Sequence, residues 1–300
     1  MISLLKCTPG ILSLLLLFSS PVIEAASHNV IAPLSQDGYL WSPPLSPNPE
    51  SRVSFALDFN HHSYDMDLIL LTDEITFSSV QFKVSAEYSF FDALTIGLDL
   101  PFLMVYDISS EHDILDDTGA DIGNLRIHAR YTFELEQLGL VITPSFRIWL
   151  PTNTFLQVDL DNSSKDLDII NSMAVFEPMV AIGWSVKWFS VLLNTGPKFV
   201  ALDDADDYSA WGFDLTIGSA PFPSLAGLEF MVELNSMVEM DDDMPQEGDQ
   251  DDIAFPLSLS FGARFHTDSF EAELGFRLGL HDAILYFGDF NVGLNAAYLF

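Results

Sequence analysis

The stretch FNVGLNAAYLF, Phe290 to Phe300, decides the fold. Phe290, Val292, Leu294, Ala296, Tyr298 and Phe300 fall on one face of an extended strand. Asn291, Gly293, Asn295 and Ala297 fall on the other, with Leu299 the apolar exception. Alternation with a period of two puts one side of a strand in an apolar medium and the other in a polar one. In an open sheet such a strand would be an edge that recruits other chains. A closed barrel has no edge, and in a membrane closure is compulsory. The expectation is an all-β, antiparallel up-and-down barrel.

The beginning of the chain agrees. Residues 1–25 read as a cleaved secretory signal peptide: Lys6 at the start, the apolar run ILSLLLLF at 11–18, and Ile23-Glu24-Ala25 as a cleavage site. The run is too short to cross a membrane as a helix. Cys7 is the one cysteine and lies inside the signal, so the mature chain has neither a disulfide framework nor thiolate metal ligands. Residues 26–50 contain Pro33, Pro43, Pro44, Pro47 and Pro49 and little periodicity, which fits a Pro-rich periplasmic leader or partial plug.

From residue 51 to 300 the pattern is that of one transmembrane barrel. About twelve alternating segments can be counted, at 51–59, 77–90, 93–105, 122–133, 138–150, 174–185, 188–200, 209–219, 225–238, 253–265, 270–280 and 286–300. Tight turns are expected at 91–92, 134–137, 185–187, 221–224 and 266–269. Longer acidic connections are expected at 60–76, 106–121, 151–173, 201–208 and 239–252, with a shorter one at 281–285. Short and long connections alternate in outer-membrane barrels, with the short ones periplasmic. A soluble β-sandwich would have polar outward faces instead of Phe, Leu and Ile. The net charge of -33 makes a nucleic-acid partner implausible.

Three stretches carry a family likeness: ALTIGLDLPF at 93–102, TGADIGNLRIHARYTF at 118–133 and FRIWLPTNTF at 146–155. They resemble the outer-membrane transporter barrels named for the MetA pathway of phenol degradation. Gly97 and Leu100-Pro101 match that family's first motif and Arg130-Tyr131 its second, while Asn124 stands where aspartate is usual and Asn153 replaces a glycine. The terminal strand also resembles that of bacterial outer-membrane barrels, which makes Tyr298 and Phe300 the assembly signal. Together these resemblances imply residence in a Gram-negative outer membrane, contact with its lipid, and delivery by a barrel-assembly machinery. A small-molecule cargo, with apolar or aromatic compounds among the candidates, is implied by the family alone.

Parity sorts the side chains. With Leu125, Ile127, Ala129, Tyr131 and Phe133 facing lipid, Arg126, His128 and Arg130 face the lumen. The same rule sends Arg52, Lys83, Arg147, Lys198, Arg264 and Arg277 inward, with Asp58, Glu87, Asp99, Glu177, Asp214, Glu229, Glu233, Glu271 and Glu273. A charge on the lipid face costs about 2–4 kcal/mol at the midplane, so this sorting fits two readings: a salt-bridged filled interior, or a polar translocation path. Arg126, Arg130 and Arg147, on neighbouring strands, are expected to oppose Glu229 and Glu233. The external loops are dense in carboxylates. Asp203, Asp204, Asp241, Asp242 and Asp243 are weak candidates for divalent-cation binding, although none fits a calcium-loop motif.

Enzyme motifs are missing. None of the histidines belongs to an Asp-x-His element, His61-His62 are expected in a loop, and there is no Gly-x-Ser-x-Gly, phosphate loop or zinc motif. The sequence therefore reads as a porin-like transporter or channel for small molecules, with no cofactor and no catalysis. The alternative is a non-transporting structural or surface-interaction barrel presenting acidic, cation-binding loops.

Overall fold

The computed structural model describes residues 34, 45–68, 71–91, 93–110, 117–152, 156–159, 166–170, 173–186, 188–202, 208–219, 227–239, 257–280 and 289–300. The expected signal peptide, most of the leader, the 221–224 turn and the candidate metal residues Asp203, Asp204 and Asp241 to Asp243 lie outside them.

The strands are β1 (Arg52–Leu68), β2 (Leu71–Phe90), β3 (Leu94–Ser110), β4 (Asp117–Asp121), β5 (Leu125–Tyr131), β6 (Phe133–Leu135), β7 (Leu140–Leu150), β8 (Leu156–Asp159), β9 (Asp166–Ile170), β10 (Met173–Ser185), β11 (Phe189–Leu202), β12 (Tyr208–Ser219), β13 (Leu228–Glu239), β14 (Leu257–His266), β15 (Phe270–Gly279) and β16 (Phe290–Leu299). Sequential neighbours pair antiparallel, with β4, β5 and β6 sharing one crossing, so the sheet closes as a 12-strand barrel. The seam forms where β1 meets β16, from Arg52 opposite Leu299 to His61 opposite Phe290. Phe300 adds a backbone bond to Ser51 at 3.0 Å. Among the described residues, β8 and β9 pair with each other as a separate two-stranded sheet.

Alternation decides which side chain goes where. In β16, Asn291 and Asn295 are buried while Leu294 and Tyr298 are exposed, as is Phe300 just after it. Exposed Phe, Leu, Ile and Val side chains ring the outer surface, an arrangement suited to hydrocarbon and not to water. Aromatic pairs cluster near the short turns: Tyr88 with Phe90, Tyr131 with Phe133, Trp184 with Phe189, and Tyr298 with Phe300. That band matches the aromatic girdle at a membrane interface. Two local features follow from backbone chemistry. Pro101 has no N–H for the ladder, and the β2–β3 register shifts beside its partner Lys83. The turn into β7 runs through Gly139 at φ 58°, where the carbonyl of Ser185 lies 2.6 Å from the place a Cβ would occupy.

The external connections are more structured than expected. The long loop placed at 60–76 is instead a continuation of β1 and β2, paired down to Leu68 opposite Leu71. His61 and His62 therefore belong to a strand: His61 Nδ1 lies 2.9 Å from Ser78 Oγ, and His62 is buried beside Phe77. The loop at 106–121 likewise contains the end of β3 paired with β4. A crossing needs only about 9–11 residues, and β1 has 17. The strand is longer than a crossing requires, and residues beyond that length need not keep an apolar alternation.

Candidate functional site

The inner wall holds the charge. Lys83, Glu87, Arg126, His128, Arg130, Arg147, Glu177, Lys198, Asp214, Glu229, Glu233, Arg264, Glu271, Glu273 and Arg277 are all buried, and Arg52 and Asp99 are half-buried. Each has the strand parity that directs it away from the apolar outer surface.

At the centre of the first cluster is Glu87 on β2. Arg130 Nη1 donates to its Oε1 and Arg130 Nη2 to its Oε2, both at 3.0 Å, giving a bidentate pair. Arg52 Nε stands 2.8 Å from Oε2, and His128 Nε2 2.9 Å from Oε1. The other nitrogen of His128 lies 3.5 Å from Asp99. Gly97 makes this packing feasible, because a Cβ there would sit 2.1 Å from His128 Nε2 and 2.9 Å from Glu87 Cγ. Arg52 also reaches Glu271 at 3.7 Å, so the network crosses the closing seam to Arg264 and Glu273, themselves 2.8 Å apart.

The second cluster centres on Trp149, a buried indole on β7. Its ring carries Arg126 at 4.4 Å and Lys198 at 4.5 Å from the centroid. Glu177 joins Lys198 at 3.2 Å and Arg147 at 3.3 Å.

The third group is different. Strands β12 and β13 carry Asp214, Glu229 and Glu233 inward and no Lys or Arg. Glu229 faces Arg264 across the β13–β14 ladder. Asp214 receives hydrogen bonds from Asn194 and Thr216 at 3.2 and 3.1 Å. Glu233 accepts one from the backbone N–H of Leu34.

The contacts these arginines make are with nearer strands than those of Glu229 and Glu233. Arg130 and Arg147 take carboxylates on nearer strands, Glu87 and Glu177, and Arg126 lies over Trp149. Physically, a pairing within side-chain reach, on the next strand or the next but one, beats one that must span the lumen.

Sequence reasoning missed two features. Trp149 shares the parity of Arg147 and was findable by the same rule. Leu34 was not, since a single leucine in a Pro-rich leader has no periodic signal. It packs beside Ala181, Leu192 and Met231, while further on Arg130 Nη2 donates to Asn48 O at 2.9 Å and Thr132 Oγ1 to Pro47 O at 2.7 Å. Among the described residues, no group of three or more His, Cys, Asp or Glu side chains has metal-holding geometry.

No protein-family profile matches the chain, and no curated protein sequence matches it. Solved structures do. An outer membrane channel from Pseudomonas putida F1 aligns over 87% of this chain and 98% of that one, with 14% identity and a TM-score of 0.61. The transport unit of the autotransporter AIDA-I from Escherichia coli aligns over 83% and 90%, with 8% identity and a TM-score of 0.52. The barrel is of the outer-membrane type. At these identities the likeness carries the fold, and what passes through the lumen must be argued from its own residues.

Proposed function

We propose that the protein is an outer-membrane channel for small molecules, with a narrow path whose selectivity is set by unlike charges on different sectors of its wall. One observation carries this reading: β5 and β7 bear Arg126, Arg130 and Arg147 and no carboxylate, whereas β12 and β13 bear inward carboxylates and no base. Only β10 and β11 separate the two sectors. Wall bracing alone needs neighbouring opposite charges and gains nothing from segregation. A transverse field acts on a solute passing through it.

The path is narrow. Twelve strands about 4.8 Å apart and tilted about 40° give a backbone radius of roughly 12 Å. Arg, Lys and Glu side chains each reach about half that distance. The leader takes more of the space: Leu34 is fully buried, and the hydrogen bonds of Pro47 and Asn48 fix 45–50 near the mouth where Thr132 lies. We read the leader as a partial plug. The likeness to the MetA-pathway barrels adds apolar and aromatic compounds to the cargo worth testing.

The test is reconstitution. Arg126→Gln with Arg147→Gln, keeping Arg130 on Glu87, should shift the ion permeability ratio toward cations by about twofold or more and change uptake in a panel of apolar and charged solutes. A folded variant with unchanged reversal potential and uptake would leave only the second reading, a braced structural barrel. The Arg52–Glu87–Arg130 network favours that reading at its own end of the lumen. Membrane delivery is tested separately. Tyr298 and Phe300 lie exposed and stacked at 6.4 Å on the outer face of β16. Phe300→Asp should reduce the folded protein in the outer membrane severalfold, measured by heat-modifiable mobility.

A further inference from the structure

Within the acidic sector, two carboxylates and one amide converge on a single hairpin. Asp214 faces Asn235 across the β12–β13 ladder, and Thr216 faces Glu233. Asp214 and Glu233 are thus diagonal neighbours on the inner face, with Cα atoms about 7–8 Å apart. All three side-chain-bearing residues are buried: Asp214 at 0%, Asn235 at 1% and Glu233 at 3% exposure. Among the described residues no cation forms an ion pair with either carboxylate.

The hydrogen bonds leave specific oxygens over. Asn194 and Thr216 both donate to Asp214 Oδ1, and Asp214 Oδ2 is buried with no hydrogen-bond partner. Asn235 Nδ2 points to β14, toward Ser258 Oγ at 3.3 Å and Ser260 Oγ at 3.4 Å. The amide oxygen and nitrogen diverge from one carbon, so Oδ1 turns away from β14, and the ladder partner of Asn235 on its other side is Asp214. That oxygen too is buried and without a partner. Among the described residues, Glu233 accepts a hydrogen bond from the Leu34 N–H. Three acceptor groups therefore face one another across one hairpin, and acceptors alone repel.

We propose that Asp214, Glu233 and Asn235 form a luminal binding site for one hard divalent cation of the calcium type. The ligands are Asp214 Oδ2, Asn235 Oδ1 and the Glu233 carboxylate, with water completing the shell. An all-oxygen set with carboxylates and an amide carbonyl is calcium chemistry. The ion tolerates irregular geometry, takes six to eight oxygens and binds them at about 2.3–2.6 Å. Softer metals prefer nitrogen or sulfur. A divalent ion matches the two carboxylate charges. The rival occupant is a proton shared between the carboxyl groups, with a carboxylic acid donating to Asn235 Oδ1. It leaves a second carboxylate charged and held by the N–H of Leu34, which is the weaker solution in a buried wall. The ion also fixes the carboxylate to which Leu34 is tied, coupling the occupied site to the leader.

The experiment is a calorimetric calcium titration of the full-length protein, purified and folded in detergent at neutral pH. The acidic external loops give a background common to every variant. The wild type should show one binding step that Asp214→Asn abolishes and Asn235→Leu weakens by about tenfold or more. Heat-modifiable mobility checks folding, and Glu233→Gln reads the same step should Asp214→Asn fail to fold. Identical titrations for the wild type and the folded variants would assign all calcium to the loops and overturn the proposal. An infrared carboxylic-acid band that calcium leaves unchanged and Asp214→Asn removes would establish the shared proton, and overturn it equally.

Discussion

Glu87 and the Asp214–Glu233 pair are carboxylates buried inside the same barrel, yet they are held in opposite ways. Glu87 lies within 3.0 Å of nitrogens from Arg52, His128 and Arg130. Asp214 and Glu233 have hydroxyl, amide and backbone N–H donors, on strands that carry no base. Burial is common to both, so the difference lies in what each removal leaves behind. Taking away Glu87 leaves the buried Arg130 guanidinium without its bidentate carboxylate. Taking away Asp214 relieves a repulsion. The sectors thus differ in kind: ion pairs at the Glu87 end join β15, β1, β2 and β5, whereas Asp214 and Glu233 on β12 and β13 are held by neutral donors.

The largest expected effect follows directly. Glu87→Gln should cost about 3–5 kcal/mol, the range for breaking a buried pair by removing one partner. Reversible urea unfolding of the barrel in liposomes would measure it. A cost under about 1 kcal/mol, the median for exposed ion pairs, would mean water enters the network, and the contrast between the two sectors would disappear.

Much of this contrast was legible in the sequence, and the rest was hidden for physical reasons. Parity finds inward residues because a strand has a fixed two-residue period and lipid rejects charge, so Arg130 follows from Leu125, Ile127 and Tyr131, and Glu87, Asp214 and Glu233 from the apolar positions of their own strands. Pairing is another matter. Arg130 meets Glu87 because β5 joins β3 and β3 joins β2, with Gly97 leaving room between. Period-two patterning carries no information on register offset or strand tilt, so the partner of each arginine stays open. Strand ends were lost above the membrane for a related reason. At Ser63, Asp65 and Asp67 the apolar face of β1 turns polar, and the apolar alternation that marks a membrane strand is lost. Leu34 illustrates the limit: its place depends on a socket built by β10, β11 and β13, none of which is written into the leader itself.

A middle-sized effect tests whether packing, and not charge alone, makes the Glu87 end rigid. Gly97→Ala keeps every charged group but puts a methyl where His128 and Glu87 Cγ now lie. Overpacking of this kind costs about 1–3 kcal/mol. The His128–Glu87 contact should lengthen, and unfolding midpoints should fall in the same assay. If Gly97→Ala is neutral, the ring of His128 has room to move and the cluster is looser than its distances imply. Gly97→Ala combined with His128→Ala should then recover part of the loss where the clash is real, since the small side chain vacates the contested space.

The smallest effect is the most discriminating, because its sign is the result. With calcium removed by a chelator, Asp214→Asn keeps the shape of the side chain and deletes one of two neighbouring buried charges. The replacement amide can donate through Nδ2 to Asn235 Oδ1, an oxygen without a hydrogen-bond partner in the native wall. Its remaining carbonyl still accepts from Asn194 and Thr216. Deleting a like-charge repulsion and adding one neutral hydrogen bond should together stabilise the barrel by about 0.5–1.5 kcal/mol. Glu87→Gln, the same change of carboxylate to amide, should destabilise it severalfold more. Unfolding curves for the two variants in chelator therefore move in opposite directions. Parallel destabilisation would show that Asp214 is held by a cation from its own chain, and the acidic sector would then be one more part of the bracing network.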